Sequence, residues 1–178
     1  MTLAKPFPQS YWVRPGLLCA GHYPGDRDPA TRAQKLAGLL DCGVRRSLNL
    51  IPIDERGRDG EAFTAYDGPL QALAAERGSS CDCLRMGFPD GHTPDLAGMS
   101  AILDRIDASI ADGEPIYVHC WGGHGRTSTV IGCHLVRHGE APEQAIERIL
   151  AWRSALPRNW FPFQNGQEAF LRAWRPGQ

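Results

Sequence analysis

The sequence has no excess of charge of either sign: 19 Lys and Arg stand against 20 Asp and Glu in 178 residues, a formal net charge of -1. That balance gives no general attraction to nucleic acid or to an anionic membrane, so neither is expected as a partner. Any anion the chain binds must be held by a local site. A long apolar run is also missing. Thr129–Val136 is short and broken by Gly132 and His134, against the ~20 residues that a membrane-spanning helix needs. Met1–Ser10 has no apolar stretch of the kind a signal peptide carries, so a cytoplasmic protein is expected. Repeats and low-complexity linkers are absent, and residues 1–178, 42% hydrophobic, read as one domain with a real core. The six cysteines lack zinc-like spacing, and a chain of this size needs no disulfide scaffold. Those other than Cys120 are expected as free thiols. His22, His92, His134 and His138 are read as lacking ligand-like spacing.

What is present is an alternation of strand and helix signals. Leu17–Ala20 reads as a short strand after the Pro15-Gly16 turn. Pro29–Asp41 reads as a helix with Leu36, Leu39 and Leu40 on one face and Gly43 at its close. Val44–Leu50 is a strand ending before Pro52, Asp54–Asp67 a polar surface loop, Pro69–Glu76 a helix, and Cys81–Met86 a strand. Thr93-Pro94-Asp95 offers a helix start in which Thr93 caps, Pro94 opens the first turn and Asp95 faces the positive end. The helix that follows carries Leu96, Met99, Ile102, Leu103, Ile106 and Ile110 at helical spacing. Ile116–Val118 is a buried strand, and Thr127–His138, Pro142–Trp152 and Asn165–Trp174 are helices. This order implies an α/β fold, a largely parallel sheet flanked by helices, with ligands beyond the carboxyl ends of its strands.

One segment lies at such an edge: His119-Cys120-Trp121-Gly122-Gly123-His124-Gly125-Arg126-Thr127, between the Ile116–Val118 strand and the next helix. Its three glycines let the backbone curl so that successive N–H groups point inward as an anion nest. The positive end of the helix faces the same point. Trp121, Gly122, Gly123, His124, Gly125 and Arg126 are therefore candidate phosphate binders. The planar fork of Arg126 suits two phosphate oxygens as a lysine would not. Cys120 sits at the floor of this positive bowl, surroundings that favour a thiolate nucleophile, and Thr127 can offer its hydroxyl to the sulfur.

His119-Cys120, five intervening residues, Arg126 and Thr127 resemble the H-C-x5-R-[S/T] signature of the cysteine-dependent protein tyrosine phosphatase superfamily. Phe88-Pro89-Asp90-Gly91-His92-Thr93-Pro94-Asp95 resembles the acid loop of its dual-specificity branch, in particular the kinase-associated and Cdc14-type enzymes, and Pro142-Glu143-Gln144-Ala145-Ile146 resembles that branch too. The resemblance implies a phosphoric monoester hydrolase that acts on a phosphorylated protein or a small phosphate ester. Cys120 would attack phosphorus, Asp90 would protonate the leaving oxygen and then activate water, and Arg126 with the loop amides would hold the equatorial oxygens, a mechanism that requires no metal and no organic cofactor. His119 would orient the loop, and Gln167 is similar to a late glutamine near the water position in some relatives. Two departures stand out. Ser128 replaces the usual glycine after the Arg-Thr pair, and the loop lacks the lysines of phosphoinositide and phytase-like members. Competing readings are a small-molecule or RNA 5′-end phosphatase on the same loop, a phosphate-binding module without turnover, and a sulfur transferase. The last two give no reason for Asp90.

Overall fold

The computed structural model describes residues 3–158 and 160–178. One five-stranded sheet runs in the order β1 (Ser10–Arg14), β2 (Leu18–Gly21), β5 (Ile116–His119), β3 (Arg46–Asn49), β4 (Asp82–Arg85). β1 pairs antiparallel with β2, and every other pairing is parallel, so the expected α/β architecture is the one found. β1 has no counterpart among the elements expected from sequence. Its period-2 pattern, Tyr11 and Val13 buried with Arg14 exposed, is short, and a turn at Arg14–Leu17 with Gly16 at φ 74° folds it onto β2.

Six helices complete the fold: α1 (Pro29–Asp41), α2 (Asp67–Glu76), α3 (Leu96–Ala111), α4 (Gly125–Arg137), α5 (Pro142–Ser154) and α6 (Gln167–Ala173). α1 has the bounds that its pattern indicates, with Asp28 capping it through the Thr31 amide at 2.8 Å and Leu36, Leu39 and Leu40 buried. α3 starts later than expected. Asp95, not Thr93, is its cap and accepts from the Gly98 amide at 2.7 Å, and Leu96 beside it is 59% exposed instead of joining the core face. Aspartate outranks threonine as a cap, and Pro94 can precede the helix as well as open it. The Asp54–Asp67 loop is mostly exposed but anchors at Tyr66, which is fully buried.

α4 lies at the centre of its side of the sheet, touching α3, α5, α6, β2 and β5, while α1 packs with α2. It is buried from Gly125 to Val136. All four residues of β5 are buried as well, as a central parallel strand covered on both faces requires. The close fit of α4 depends on Gly132, where a Cβ would stand 1.7 Å from Leu171 Cδ1 of α6. Gly132→Ala should destabilise the fold by about 1–3 kcal/mol through overpacking. Gly68→Ala, in α2 with nothing near its absent Cβ, should be neutral or slightly stabilising. Chemical denaturation of the two variants checks the contrast.

Candidate active site

Because β2, β3, β4 and β5 run parallel, their carboxyl ends converge on one edge, and each contributes a segment there. The loop after β5 holds Cys120 to Arg126. His22 and Tyr23 follow β2, with Tyr23 N–H donating to Trp121 O at 2.9 Å. Leu50 to Glu55 follow β3, with Leu50 N–H donating to His119 O at 2.9 Å. Phe88 to Asp90 follow β4, and Phe88 N–H donates to Leu50 O at 3.3 Å.

The loop curls as its glycines permit. Gly123 takes φ 64°, and a Cβ there would lie 2.5 Å from the backbone of Gly21, so only glycine lets the loop rest on the end of β2. Among the described residues, no backbone amide from Trp121 to Arg126 donates to another protein group. These donors are free to meet an anion, with the first turn of α4 behind them. At their base Cys120 is 3% exposed, and Thr127 Oγ1 donates to its Sγ at 3.1 Å.

The side chain of Arg126 is entirely buried. Nη1 donates to Glu55 Oε2 at 2.6 Å and to Phe88 O at 3.1 Å, and Nη2 donates to Glu55 Oε1 at 2.9 Å. Asp90 Oδ1 lies 3.2 Å from Nη2. Burial alone would lower the pKa of the guanidinium, but the bonds and charge of Glu55, with Cys120 and Asp90, outweigh it and raise it. Nε, also buried, has no partner among the described residues. Glu55 thus occupies the end of the fork, and the side edge formed by Nε and Nη2 is open except for Asp90. That edge is the one that can take two phosphate oxygens side by side.

The supporting residues form two further groups. His119 Nδ1 lies 3.0 Å from the carbonyl of Cys120, which can only accept, so Nδ1 carries the proton. Nε2 therefore accepts from Tyr66 OH at 2.6 Å, and Tyr66 in turn accepts from Ser47 Oγ at 2.8 Å. Burial, partly opposed by the bond to Cys120 O, pushes the His119 pKa down to about 3, so the ring is neutral and fixed in one tautomer. On the other side, Arg153 of α5, buried, donates to Gly123 O and to His124 Nδ1. His124 precedes the first residue of α4, stacks on Trp160 with centroids 5.5 Å apart, and has its pKa pushed down to about 4 by burial and then by Arg153.

Gln167, fully buried at the start of α6, spans two loops. Its Nε2 donates to His92 O at 2.9 Å, its Oε1 accepts from Gln164 N–H at 3.0 Å, and the side chain fills the space beside Gly125. Cys120, Arg126, Thr127, Asp90, His119 and Gln167 are thus brought together. Trp121 lies at the rim with Arg58 stacked on its ring at 5.5 Å. Ser128 is buried, its Oγ unpartnered among the described residues, yet its amide still closes the first helical bond, to His124 O at 2.8 Å. Asp95 is spent on capping α3. Sequence reasoning missed Glu55, Tyr66 and Arg153. Glu55 is one of several acids in a loop that read as solvent-facing, and nothing local distinguishes it.

A parallel sheet with a cysteine–arginine loop at its central carboxyl end defines a protein tyrosine phosphatase fold. The structure of PTPMT1 in complex with PI(5)P matches it with a TM-score of 0.66 at 20% identity, over 93% of this chain and 94% of that one. That of the kinase-associated phosphatase with its catalytic cysteine replaced by serine matches at TM-score 0.61 and 21% identity, over 86% and 83%. At these identities the likeness establishes the fold alone. A family model described as "Polymorphic toxin system, DSP-PTPase phosphatase" matches residues 33–140, and the chain belongs to that family. Cyclin-dependent kinase inhibitor 3 of Sus scrofa is 32% identical over 64 residues, 35% of this chain and 30% of that protein. Dual specificity protein phosphatase CDC14B of Mus musculus is 43% identical over 54 residues, 29% of this chain and 10% of that protein. The matches therefore span less than a third of these relatives.

Two outcomes follow from this geometry. In a Cys120→Ser chain, Asp90→Ala should tighten inorganic phosphate binding by up to about fivefold, because an exposed carboxylate no longer competes for the Arg126 edge. Glu55→Gln should weaken it at least about tenfold by leaving the buried fork without its anchor. Titration calorimetry reads both. The second outcome concerns pH. His22, His124 and His134 are each pushed down to about 4, and His119 to about 3, in every case chiefly by burial. The unfolded chain therefore binds these protons first. Stability should be complete above about 6.5 and decline as the pH falls from there toward 4, as urea midpoints at pH 7.5 and 5 would record.

Proposed function

We propose that this chain hydrolyses phosphate monoesters through a phosphocysteine on Cys120. One observation carries the reading: the thiol of Cys120, hydrogen-bonded to Thr127 at 3.1 Å, lies beneath unspent amides and beside an arginine whose open edge is held by Asp90 at 3.2 Å. An incoming phosphoryl group takes that edge of Arg126, and the displaced Asp90 swings to the leaving oxygen. Binding and placement of the acid are then one event.

In the first step Cys120 attacks phosphorus, the ester oxygen leaves with the proton of Asp90, and the sulfur holds the phosphoryl group. In the second, Asp90 takes a proton from water as the water attacks phosphorus. The S–P bond breaks, and Thr127 stabilises the departing thiolate. Arg126 and the loop amides hold the equatorial oxygens throughout. A binding module or a sulfur transferase would have no use for an acid poised on the phosphate clamp.

The substrate is a phosphorylated protein or a small phosphate ester, and the dual-specificity relatives favour the protein. No helix among the described residues is long and apolar enough to cross a membrane, and six free cysteines fit a reducing cytoplasm.

Asp90→Asn tests the acid. It should slow an alkyl phosphate or phosphotyrosine by about 10²–10⁴-fold and an activated aryl phosphate far less. Asp95→Asn should keep the parent's leaving-group dependence and the helix cap, and lose only about 0.3–1 kcal/mol of stability with the charge at the helix start. A steep leaving-group dependence in Asp95→Asn alone would move the acid role to Asp95. Arg126→Lys should cost on the order of 2–4 kcal/mol in kcat/KM, and a value within a few-fold of the parent would show that the fork is not the clamp.

A further inference from the structure

The far end of α4 carries a second group of chemistry-bearing residues that the phosphatase reading does not use. His134 and His138 are four residues apart, which on a helix is one face, so the expectation that they lack ligand-like spacing fails. Asp107 of α3 meets them. His134 Nδ1, His138 Nε2 and an Asp107 oxygen all lie within 4.8 Å of one another. His138 Nε2 is 2.8 Å from Asp107 Oδ1, and His134 Nδ1 is 3.4 Å from the same oxygen.

A second observation points to a ligand. The side chain of His134 is 8% exposed, and its Nδ1 is buried with no hydrogen-bond partner among the described residues. A buried ring nitrogen left unpaired costs free energy unless something meets it.

Asp107 is held from behind. Arg137 donates to Asp107 Oδ2 at 3.0 Å and pairs with Asp104 at 2.7 Å, which leaves Oδ1 turned to the two imidazoles. A carboxylate fixed through its outer oxygen is the usual second layer of a metal site. The adjoining cleft is lined by Arg14, Glu140 and Arg148, with Glu140 and Arg148 paired to each other. Arg137 and Arg14 are then the cations there whose charge opposes another, with the carboxylates of Asp104 and Asp107 set against them.

We propose that Asp107, His134 and His138 form a zinc-type divalent-cation site that ties α3 to α4. Two imidazoles and one carboxylate are the ligand set of an open, four-coordinate zinc with water in the fourth position. Bonds of about 2.0–2.1 Å set ligand atoms about 3.4 Å apart. His138, whose side chain is 54% exposed, is free to close that distance. The site lies on the helix whose first turn carries Arg126, so metal there would stiffen the support of the phosphate loop.

The test is zinc titration of the full reduced chain in phosphate-free buffer, with thermal unfolding in parallel and cobalt(II) absorption to report ligand type. The parent should bind one equivalent, with a raised melting temperature and a cobalt spectrum free of thiolate charge transfer. His138→Ala, at an exposed position, should fold as the parent does without metal. It should bind at least about tenfold more weakly and lose the thermal shift. Asp107→Asn should behave likewise. No saturable binding by the parent, less than a tenfold loss in His138→Ala, or a thiolate band in the cobalt spectrum would each overturn the site.

Discussion

A guanidinium taken wholly out of water costs several kcal/mol unless its hydrogen bonds and charge are met, and Arg126 is such a group. The site is organised around meeting that cost without using up the whole fork. Glu55 takes the two terminal nitrogens, Phe88 O takes a third N–H, and Asp90 stands within ion-pair distance of Nη2. These partners come from the segments after β3 and β4, so the charge on α4 draws the ends of neighbouring strands to one point. The N–H left unmatched, on Nε, belongs to the side edge that Glu55 leaves free. A buried charge with one unfilled edge is a seat for an anion, and the same pairs that stabilise the empty protein define where the anion goes.

The loop itself is held from four directions, none of them through its amides. Gly123 rests on Gly21 of β2, Arg153 holds the Gly123 carbonyl and His124 from α5, and Gln167 of α6 packs on Gly125 while gripping His92. Below, the Ser47–Tyr66–His119 relay fixes the Cys120 carbonyl. Every contact uses a carbonyl or a side chain. The donors stay free, and the loop is preorganised for charge without being neutralised by its supports.

Much of this was legible in the sequence because it is local. The Cys120–Thr127 loop declares itself by glycine content, by Arg126 at fixed distance from Cys120 and by the apolar helix that follows. The α1 bounds follow from Asp28, Pro29 and three leucines. What was not legible depends on distant partners. Glu55 resembles Asp54, Asp59 and Glu61 until Arg126 is placed beside it. Arg153 lies just past the expected Pro142–Trp152 helix and nothing marks it until α5 runs on to Ser154 and packs on the loop, and Tyr66 hides in a polar stretch. The start of α3 was misplaced because Thr93 and Asp95 both suit a cap and only the bond to Gly98 decides between them. His134 and His138 show their shared face only once the helix through them is fixed and Asp107 arrives from α3.

The central claim is that phosphate passes through the sulfur of Cys120, and trapping that bond tests it most directly. The parent chain, mixed with a labelled phosphate ester and denatured within the turnover time, should carry one labelled phosphoryl group. Peptide mass spectrometry should place it on Cys120, and Cys120→Ser should carry none. Turnover by the parent with the label on another residue, or undiminished turnover by Cys120→Ser, would contradict the account.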